Sequence, residues 1–221
     1  SSVISPATRK LIRECIQQFP GLEWISYDEI SSSAIRDAHR KMMGRAIIPG
    51  YRFDKAEYIL SFDADFLGTW LAPVDFARGY ASGRKITKDH ARMSKHVHVE
   101  AGMSLTGSNA DERIAASPEK AKTILAAIYN HIAAASGRSS ITGVECDMDI
   151  SGIADELIKH SGRCLVVSGS NDPEVQEMVA GLNLMLDNYG TTLDTDRVLN
   201  LRNGDDRAFL DLVSDMEAGN V

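Results

Sequence analysis

The pattern of apolar and polar positions predicts a chain in which strands alternate with helices. The nearly continuous apolar run "EYILSF" is typical of a central strand covered on both faces of a parallel sheet, and "RCLVVSGS" predicts a second strand that ends in small residues. "KHVHVEA" alternates His with Val and predicts a third strand, and "LEWISYD" predicts a fourth with apolar side chains on both faces. The chain therefore has the strands needed for a buried sheet.

Seven further segments carry apolar residues at helical spacing and are predicted to be helices. They are "SPATRKLIRECIQQFP", "SSSAIRDAHRKMMG", "APVDFARGYASGRKI", "SPEKAKTILAAIYNHIAAAS", "GIADELIKHSG", "DPEVQEMVAGLNLMLDNYG" and "DDRAFLDLVSDMEAG". In the longest of them, Ser117 is an N-cap residue and Pro118 occupies the first helical position. Gly44 is suited to end the second predicted helix, because glycine readily adopts a left-handed conformation.

This alternation favours an α/β fold with a mostly parallel sheet and right-handed crossovers. We expect a Rossmann-like three-layer α/β/α arrangement in one domain over residues 1–221, with residues 115–150 as the place where it would subdivide. The chain begins and ends with a predicted helix, and both outer helices lack the strand that usually partners them. We therefore expect a fragment of a longer polypeptide.

Composition and charge narrow the classes of partner. The content of hydrophobic residues is 43% and the formal net charge is −7, which suits a globular domain and argues against nucleic acid as a partner. No run of about 20 apolar residues is present, so no membrane insertion is predicted. Cys15, Cys146 and Cys164 form no CxxC motif, which argues against a zinc or iron-sulfur site within this chain but leaves one disulfide open.

Candidate chemistry is expected where strands end, because open α/β sheets bind ligands outside the carboxyl ends of their strands. The segments that follow predicted strands are 26–33, 61–70, 99–113 and 168–172. Asp63 and Asp65 are two residues apart, so they are either a pair of metal ligands or the polar end of a strand with Asp65 capping the next turn. Spacing alone leaves both interpretations open.

Two glycine- and serine-rich segments suit phosphate binding, and three histidines suit metal binding. "VSGSND" and "SLTGSNADER" offer backbone donors to a phosphate, but an ordinary turn and a surface loop fit them equally well. His90, His96 and His98 are either metal ligands or exposed or hydrogen-bonded histidines, with the second interpretation favoured. No nucleophile motif is present.

The most specific segments are "ADFLGTWLAPVDFARGYASGRK" and "MSLTGSNADER", supported by "SPATRKLIRECIQQFPGLEWISYDEISSSAI" and "LVSDMEAGNV". Over nearly the whole chain, the sequence resembles the molybdopterin-oxidoreductase-like half of the large iron-sulfur subunit of alternative complex III, a bacterial quinol:electron acceptor oxidoreductase. The resemblance implies a domain of the formate dehydrogenase and dimethyl sulfoxide reductase type.

Compared with that superfamily, the sequence departs at two turns. A Gly-Ser-Asn-Pro turn is replaced by residues 63–66, and an Asp-Pro-Arg turn is replaced by residues 100–102, while Ala110 and Asp111 are retained. The resemblance implies a cofactor-binding set, vestigial if the domain is a scaffold, of Ser61, Asp63, Asp65, Glu100, Ser104, Thr106, Asp111, Ser168 and Gly169. Acids at the two changed turns would repel the phosphates of a pterin dinucleotide.

The resemblance implies a structural scaffold without bound molybdenum and without catalytic or metal-ligating residues of its own. Its partners would be the iron-sulfur-cluster part of the same polypeptide and membrane quinol-oxidising and cytochrome subunits, on the periplasmic side of the inner membrane. The alternative is an active oxidoreductase domain that binds molybdopterin guanine dinucleotide. A third hypothesis is a stand-alone α/β protein that binds a nucleotide or phosphate.

Overall fold

A computed structural model describes residues 2–86, 91 and 93–221, so His90 lies outside the described residues. The helices are α1 (Pro6–Gln18), α2 (Ser33–Met43), α3 (Pro73–Gly83), α4 (Leu105–Asn109), α5 (Pro118–Ala135), α6 (Ser151–Lys159), α7 (Pro173–Met185) and α8 (Asp206–Glu217). The strands are β1 (Gly50–Tyr51), β2 (Tyr58–Phe62), β3 (Lys95–Glu100), β4 (Glu112–Ala115), β5 (Cys164–Ser168) and β6 (Leu193–Asp194). All seven predicted helices are confirmed.

The central sheet has four parallel strands in the order β4-β3-β2-β5. Leu60 of β2 lies opposite Val97 of β3 and Val166 of β5, which places β2 in the interior of the sheet. The expected mixed α/β fold with a mostly parallel sheet between helices is confirmed. The chain proceeds from β2 outward to β4 and then crosses back to β5, so the topological switch point lies between β2 and β5.

The two faces of the sheet are covered by different elements. Helices α5, α6 and α7 pack on the face that carries Tyr58, Leu60, Phe62, Val97 and Val99. Helix α3 and the loop after β2 cover the opposite face through Phe66, Phe76 and Tyr80, which pack with Ile59 and Leu165. Because side chains alternate along a strand, the same five-residue strand β2 contributes to both cores.

One predicted strand is wrong. Residues 22–28, "LEWISYD", are irregular and instead pack beside α8, where the Tyr27 ring stacks on Phe209 and the Asp205 N–H donates to the Ser26 carbonyl. Leu22 and Trp24 remain 46% and 39% exposed, and neither sheet formed by the described residues includes this segment. Apolar alternation alone therefore does not make this segment a strand.

The structure also contains elements that the sequence pattern did not predict. The segment expected to be a loop or phosphate-binding turn forms α4 and the edge strand β4, and a small antiparallel pair joins β1 to β6. All three cysteines are free, so the disulfide left open is not formed. Among the described residues, no helix is long and apolar enough to cross a membrane.

Candidate functional site

The switch point between β2 and β5 is closed by direct contact of two turns. Asp63 has a left-handed backbone, with φ of 47°, and turns its carbonyl toward Gly169. A Cβ on Gly169 would overlap that carbonyl, and the Gly169 N–H donates to the Phe62 carbonyl at 2.8 Å. Glycine is therefore required at residue 169 for the close approach of two strand ends, rather than for approach to a phosphate.

Asp65 holds the beginning of α4. Its carboxylate accepts from the Thr106 N–H at 3.1 Å and from the Thr106 hydroxyl at 2.8 Å. The Thr106 hydroxyl oxygen in turn accepts from the Leu67 N–H at 2.9 Å. A Cβ on Gly68 would overlap the Asp65 carboxylate. Asp65 thus acts as an internal anion that joins the loop after β2 to α4.

Glu100 has the corresponding role at the end of β3. It is 2% exposed and accepts from the Ser104 N–H at 3.0 Å and from Arg113 Nε at 2.6 Å. Burial opposes ionisation, but these hydrogen bonds outweigh it and lower the pKa of Glu100 to about 2. The carboxylate fills the space beside Gly107, where a Cβ would overlap it.

Asp63 is less firmly hydrogen-bonded than Asp65 and Glu100. Its side chain is exposed, and the hydrogen bond that it accepts from the Ala101 N–H is long at 3.4 Å. Desolvation and the nearby Glu100 carboxylate raise the pKa of Asp63, although the Ala101 bond opposes them. Asp63 and Asp65 therefore do not share one partner as a metal pair would.

Ser168 lies at the carboxyl ends of the parallel strands, whereas Asp111 lies at their amino ends. Ser168 is 2% exposed and its hydroxyl accepts from the Ser170 N–H at 3.1 Å, which shapes the turn before α7. Asp111 lies before β4, where it accepts two hydrogen bonds from Arg84 at 2.7 and 2.6 Å and one from the His96 N–H. The length of β3, roughly 13 Å between these two ends, separates Asp111 from the predicted residues at the carboxyl ends of the strands.

Helix beginnings near this edge also bind side chains of the chain itself. Asp172 caps α7 by accepting from the Glu174 N–H at 2.8 Å, and it accepts from Lys122 Nζ at 2.8 Å. The Ala34 N–H at the start of α2 donates to the Asn171 side chain at 3.0 Å. At each of these two helix starts, an N–H that could attract a phosphate is thus paired with a side chain of the chain itself.

A buried polar network on the α3 face was not predicted as a unit. Ser61 Oγ lies 2.7 Å from His96 Nε2 and 2.5 Å from His98 Nδ1, and all three residues are 0% exposed. His98 Nε2 lies 3.1 Å from Glu100, and His96 Nδ1 lies 3.2 Å from the Tyr80 hydroxyl. The signal in the sequence was two histidines and a serine at inward positions of neighbouring apolar strands.

The network holds its histidines neutral at neutral pH. Desolvation lowers the pKa of His96 to about 3. Desolvation also lowers the pKa of His98, and it outweighs the attraction of the neighbouring Glu100 carboxylate. The hydrogen-bonded interpretation of His96 and His98 is therefore the one the structure supports. Among the described residues, no group of three or more His, Cys, Asp or Glu side chains could hold a metal ion.

The connectivity of Ser61, His98 and Glu100 resembles that of a nucleophile, a base and an orienting acid. A nucleophile has to reach a substrate, but these three residues are at most 2% exposed. Ser61 also bonds a second histidine, which leaves its oxygen without space for an incoming carbonyl. The arrangement can hold or pass protons, but it cannot perform acyl transfer.

A separate groove of about 790 Å³ lies between α5, the loop residues 141–145 and the start of α7. Its lining combines Tyr129, Val144 and Met178 with several glutamates, and it contains none of the predicted site residues.

Comparison of the sequence with protein-family models and with curated proteins finds no match.

Proposed function

We propose that this chain is a non-catalytic scaffold domain of a molybdopterin-oxidoreductase-like subunit in a respiratory quinol:electron acceptor oxidoreductase. The proposal rests on the sequence resemblance and on the hydrogen bonds that the acids of the two changed turns, residues 63–66 and 100–102, accept from the chain itself. The finer fold assignment, a domain of the dimethyl sulfoxide reductase type, belongs to the same proposal and is compatible with the parallel sheet between helices.

One observation carries the proposal that the cofactor site is lost. Asp65 and Glu100 stand at the turns where the resemblance places small or differently charged cofactor-binding residues. Each is bonded to backbone N–H groups of the same segment, residues 104–106. A phosphate placed there would have to displace a carboxylate and would meet the charge of the other acid.

The closed switch point supports the same conclusion from the backbone. Gly169 and Asp63 touch where an open α/β sheet would admit a ligand between strand ends. In this proposal the domain contributes shape and partner surfaces, while iron-sulfur clusters lie elsewhere in the full polypeptide. Membrane quinol-oxidising and cytochrome subunits are its proposed partners, at the periplasmic face of the inner membrane.

Cofactor analysis of the complete polypeptide, purified from its own cells, tests this proposal. We expect iron in stoichiometric amount, less than a tenth of an equivalent of molybdenum or tungsten, and no fluorescent pterin released on denaturation. A molybdenum enzyme purified from the same cells is the positive control for both assays. Stoichiometric molybdenum or pterin would instead support the active-oxidoreductase alternative.

A further inference from the structure

Five polar side chains on the α3 face form one unbranched line across the interior. In order, they are Tyr80, His96, Ser61, His98 and Glu100, with successive polar atoms 3.2, 2.7, 2.5 and 3.1 Å apart. The most accessible of them, Tyr80, is only 6% exposed. Protein groups therefore determine the direction of each hydrogen bond in the line.

With both histidines neutral, one arrangement of protons satisfies every contact. Ionised Glu100 can only accept, so His98 Nε2 carries a proton and donates to it, and His98 Nδ1 accepts from the Ser61 hydroxyl. The Ser61 oxygen then accepts from His96 Nε2–H. His96 Nδ1 is left as an acceptor, and it receives the hydroxyl proton of Tyr80. All four bonds point toward Glu100.

Adding one proton produces a second arrangement that also satisfies every contact. His98 then carries protons on both ring nitrogens and donates to Glu100 and to Ser61. The Ser61 hydroxyl donates to His96 Nε2, and His96 Nδ1–H donates to the Tyr80 oxygen. Tyr80 now donates to the Asn109 carbonyl, which lies 3.0 Å away and receives no proton from Tyr80 in the first arrangement.

We propose that this line of side chains is a binding site for one solvent proton, which is taken up at the Tyr80 end and held on His98 beside Glu100. A proton that arrives at the Tyr80 oxygen releases the tyrosine proton to His96 Nδ1. His96 passes its Nε2 proton to Ser61, and Ser61 passes its own to His98 Nδ1. One N–H or O–H bond forms for each that breaks, and the added charge ends on His98.

The charges around the line favour His98 over His96 as the holder. His96 faces the guanidinium of Arg84, the residue after α3, although Asp111, before β4, partly offsets its charge. His98 faces three carboxylates, those of Asp63, Asp65 and Glu100. Arg113 of β4 faces Glu100 and keeps that carboxylate ionised. Since desolvation lowers the pKa of both histidines, the site is empty at neutral pH and fills below pH 6.5.

Nitrogen NMR of the ¹⁵N-histidine-labelled protein, titrated downward from pH 7.5, tests the proposal. We expect His98 to gain an Nδ1–H while keeping its Nε2–H. At the same midpoint, His96 should move its proton from Nε2 to Nδ1 and remain neutral. A histidine that is merely buried would not change tautomer, so this coupled change is specific to the relay.

Two results would overturn the proposal. One is a His96 tautomer that stays the same while His98 becomes charged. The other is acid unfolding, followed by circular dichroism, before any histidine in the line takes up a proton. In either case the line would be a fixed structural network rather than a site that binds a proton.

Two variants separate the relay from its surroundings. Ser61→Ala removes the bridging hydroxyl, so His98 should titrate without any change in the His96 tautomer. Tyr80→Phe keeps the ring but removes the entry hydroxyl, and we expect His96 to lose its Nδ1 partner while the Ser61 bonds remain. If Ser61→Ala retained the coupled change of the natural chain, the coupling would not run through this hydroxyl. If His98 of Tyr80→Phe took up its proton as fast as in the natural chain, measured by NMR relaxation dispersion near the midpoint, protons would not enter at Tyr80.

Discussion

The two faces of the same parallel sheet are built in different ways. On the α5–α7 face, the buried side chains of β2 and β3 are all apolar or aromatic, with the exposed Lys95 at the start of β3, and the core is held by burial of these groups. On the α3 face, the intervening positions carry Ser61, His96 and His98, which are equally buried but are held by hydrogen bonds. One face therefore depends on packing volume, and the other, which has an apolar cluster of its own, depends in addition on the pairing of buried polar groups.

This difference teaches that polar residues in a buried strand can be retained without access to substrate. Each ring nitrogen of His96 and His98 has a partner, so the cost of burying these groups is largely offset. The acids at the edge follow the same rule, since Asp65 and Glu100 pair with donors of their own chain. Polar residues near a crevice are thus insufficient evidence of a binding site.

Leu60→Ala should produce the largest effect, because Leu60 is 0% exposed in the apolar layer. We expect a loss of about 2–5 kcal/mol in the free energy of unfolding, from lost burial and from the cavity left behind. Ser61→Ala, one residue away on the other face, is the matched comparison. Urea unfolding of both variants checks this, and a larger loss for Ser61→Ala would reverse the comparison of the two faces.

Acidification should weaken the fold through the α3 face. The pKa of His96 is about 3 in the fold and about 6.5 when unfolded, so below pH 6.5 the unfolded chain binds more protons. The contribution of His96 to the free energy of unfolding is therefore fully present above pH 6.5. Its loss should lower that free energy by about 3 kcal/mol between pH 6.5 and 4.5. His98 and His39 act in the same direction.

Urea unfolding at several pH values measures this loss. A matched control is His131→Gln, because His131 lies near the surface, where it pairs with Asp155. This variant should retain the pH dependence of the natural chain. A free energy of unfolding that is constant from pH 6.5 to 4.5 would show that the buried histidines do not bind protons more weakly in the fold than in the unfolded chain.

Glu100→Gln should have a smaller effect, because the amide preserves shape while removing charge. We expect a loss of about 1–3 kcal/mol in unfolding free energy, since Arg113 and the Ser104 N–H lose a charged acceptor. Without the carboxylate, proton uptake by His98 should also move to lower pH. Glu112→Gln, at an exposed residue of β4, is the control and should change stability by less than about 0.5 kcal/mol.

Much of the fold could be predicted because long helices and buried strands carry strong local patterns. Strands β2 and β5 are almost wholly apolar, and the longest helix begins with an N-cap serine, Ser117, followed by Pro118. Strand β4 carries no such signal, because two of its four residues are charged and it is ordered by pairing with β3. The segment 22–28 has a strand-like pattern, but in the described part of the chain it joins neither sheet.

The candidate site was predicted less completely because its contacts join distant parts of the chain. The suggestion that Asp65 caps a turn was close, but the donor is Thr106, 41 residues later. Nothing in the local sequence identifies that partner. Likewise, the pairing of Ser61 with His98 depends on the register of β2 against β3. Local spacing identified these polar residues, but only the sheet register determines what they bind.

Calorimetric titration with guanosine diphosphate most directly tests the central claim that the chain's own carboxylates and backbone close the crevice. This probe carries the pyrophosphate and guanine of the dinucleotide that the alternative function requires. We predict no saturable heat up to about 1 mM ligand, which corresponds to binding weaker than about −4 kcal/mol. Saturable binding of one equivalent, abolished by a change at Ser168 but retained by Glu112→Gln, would contradict the claim.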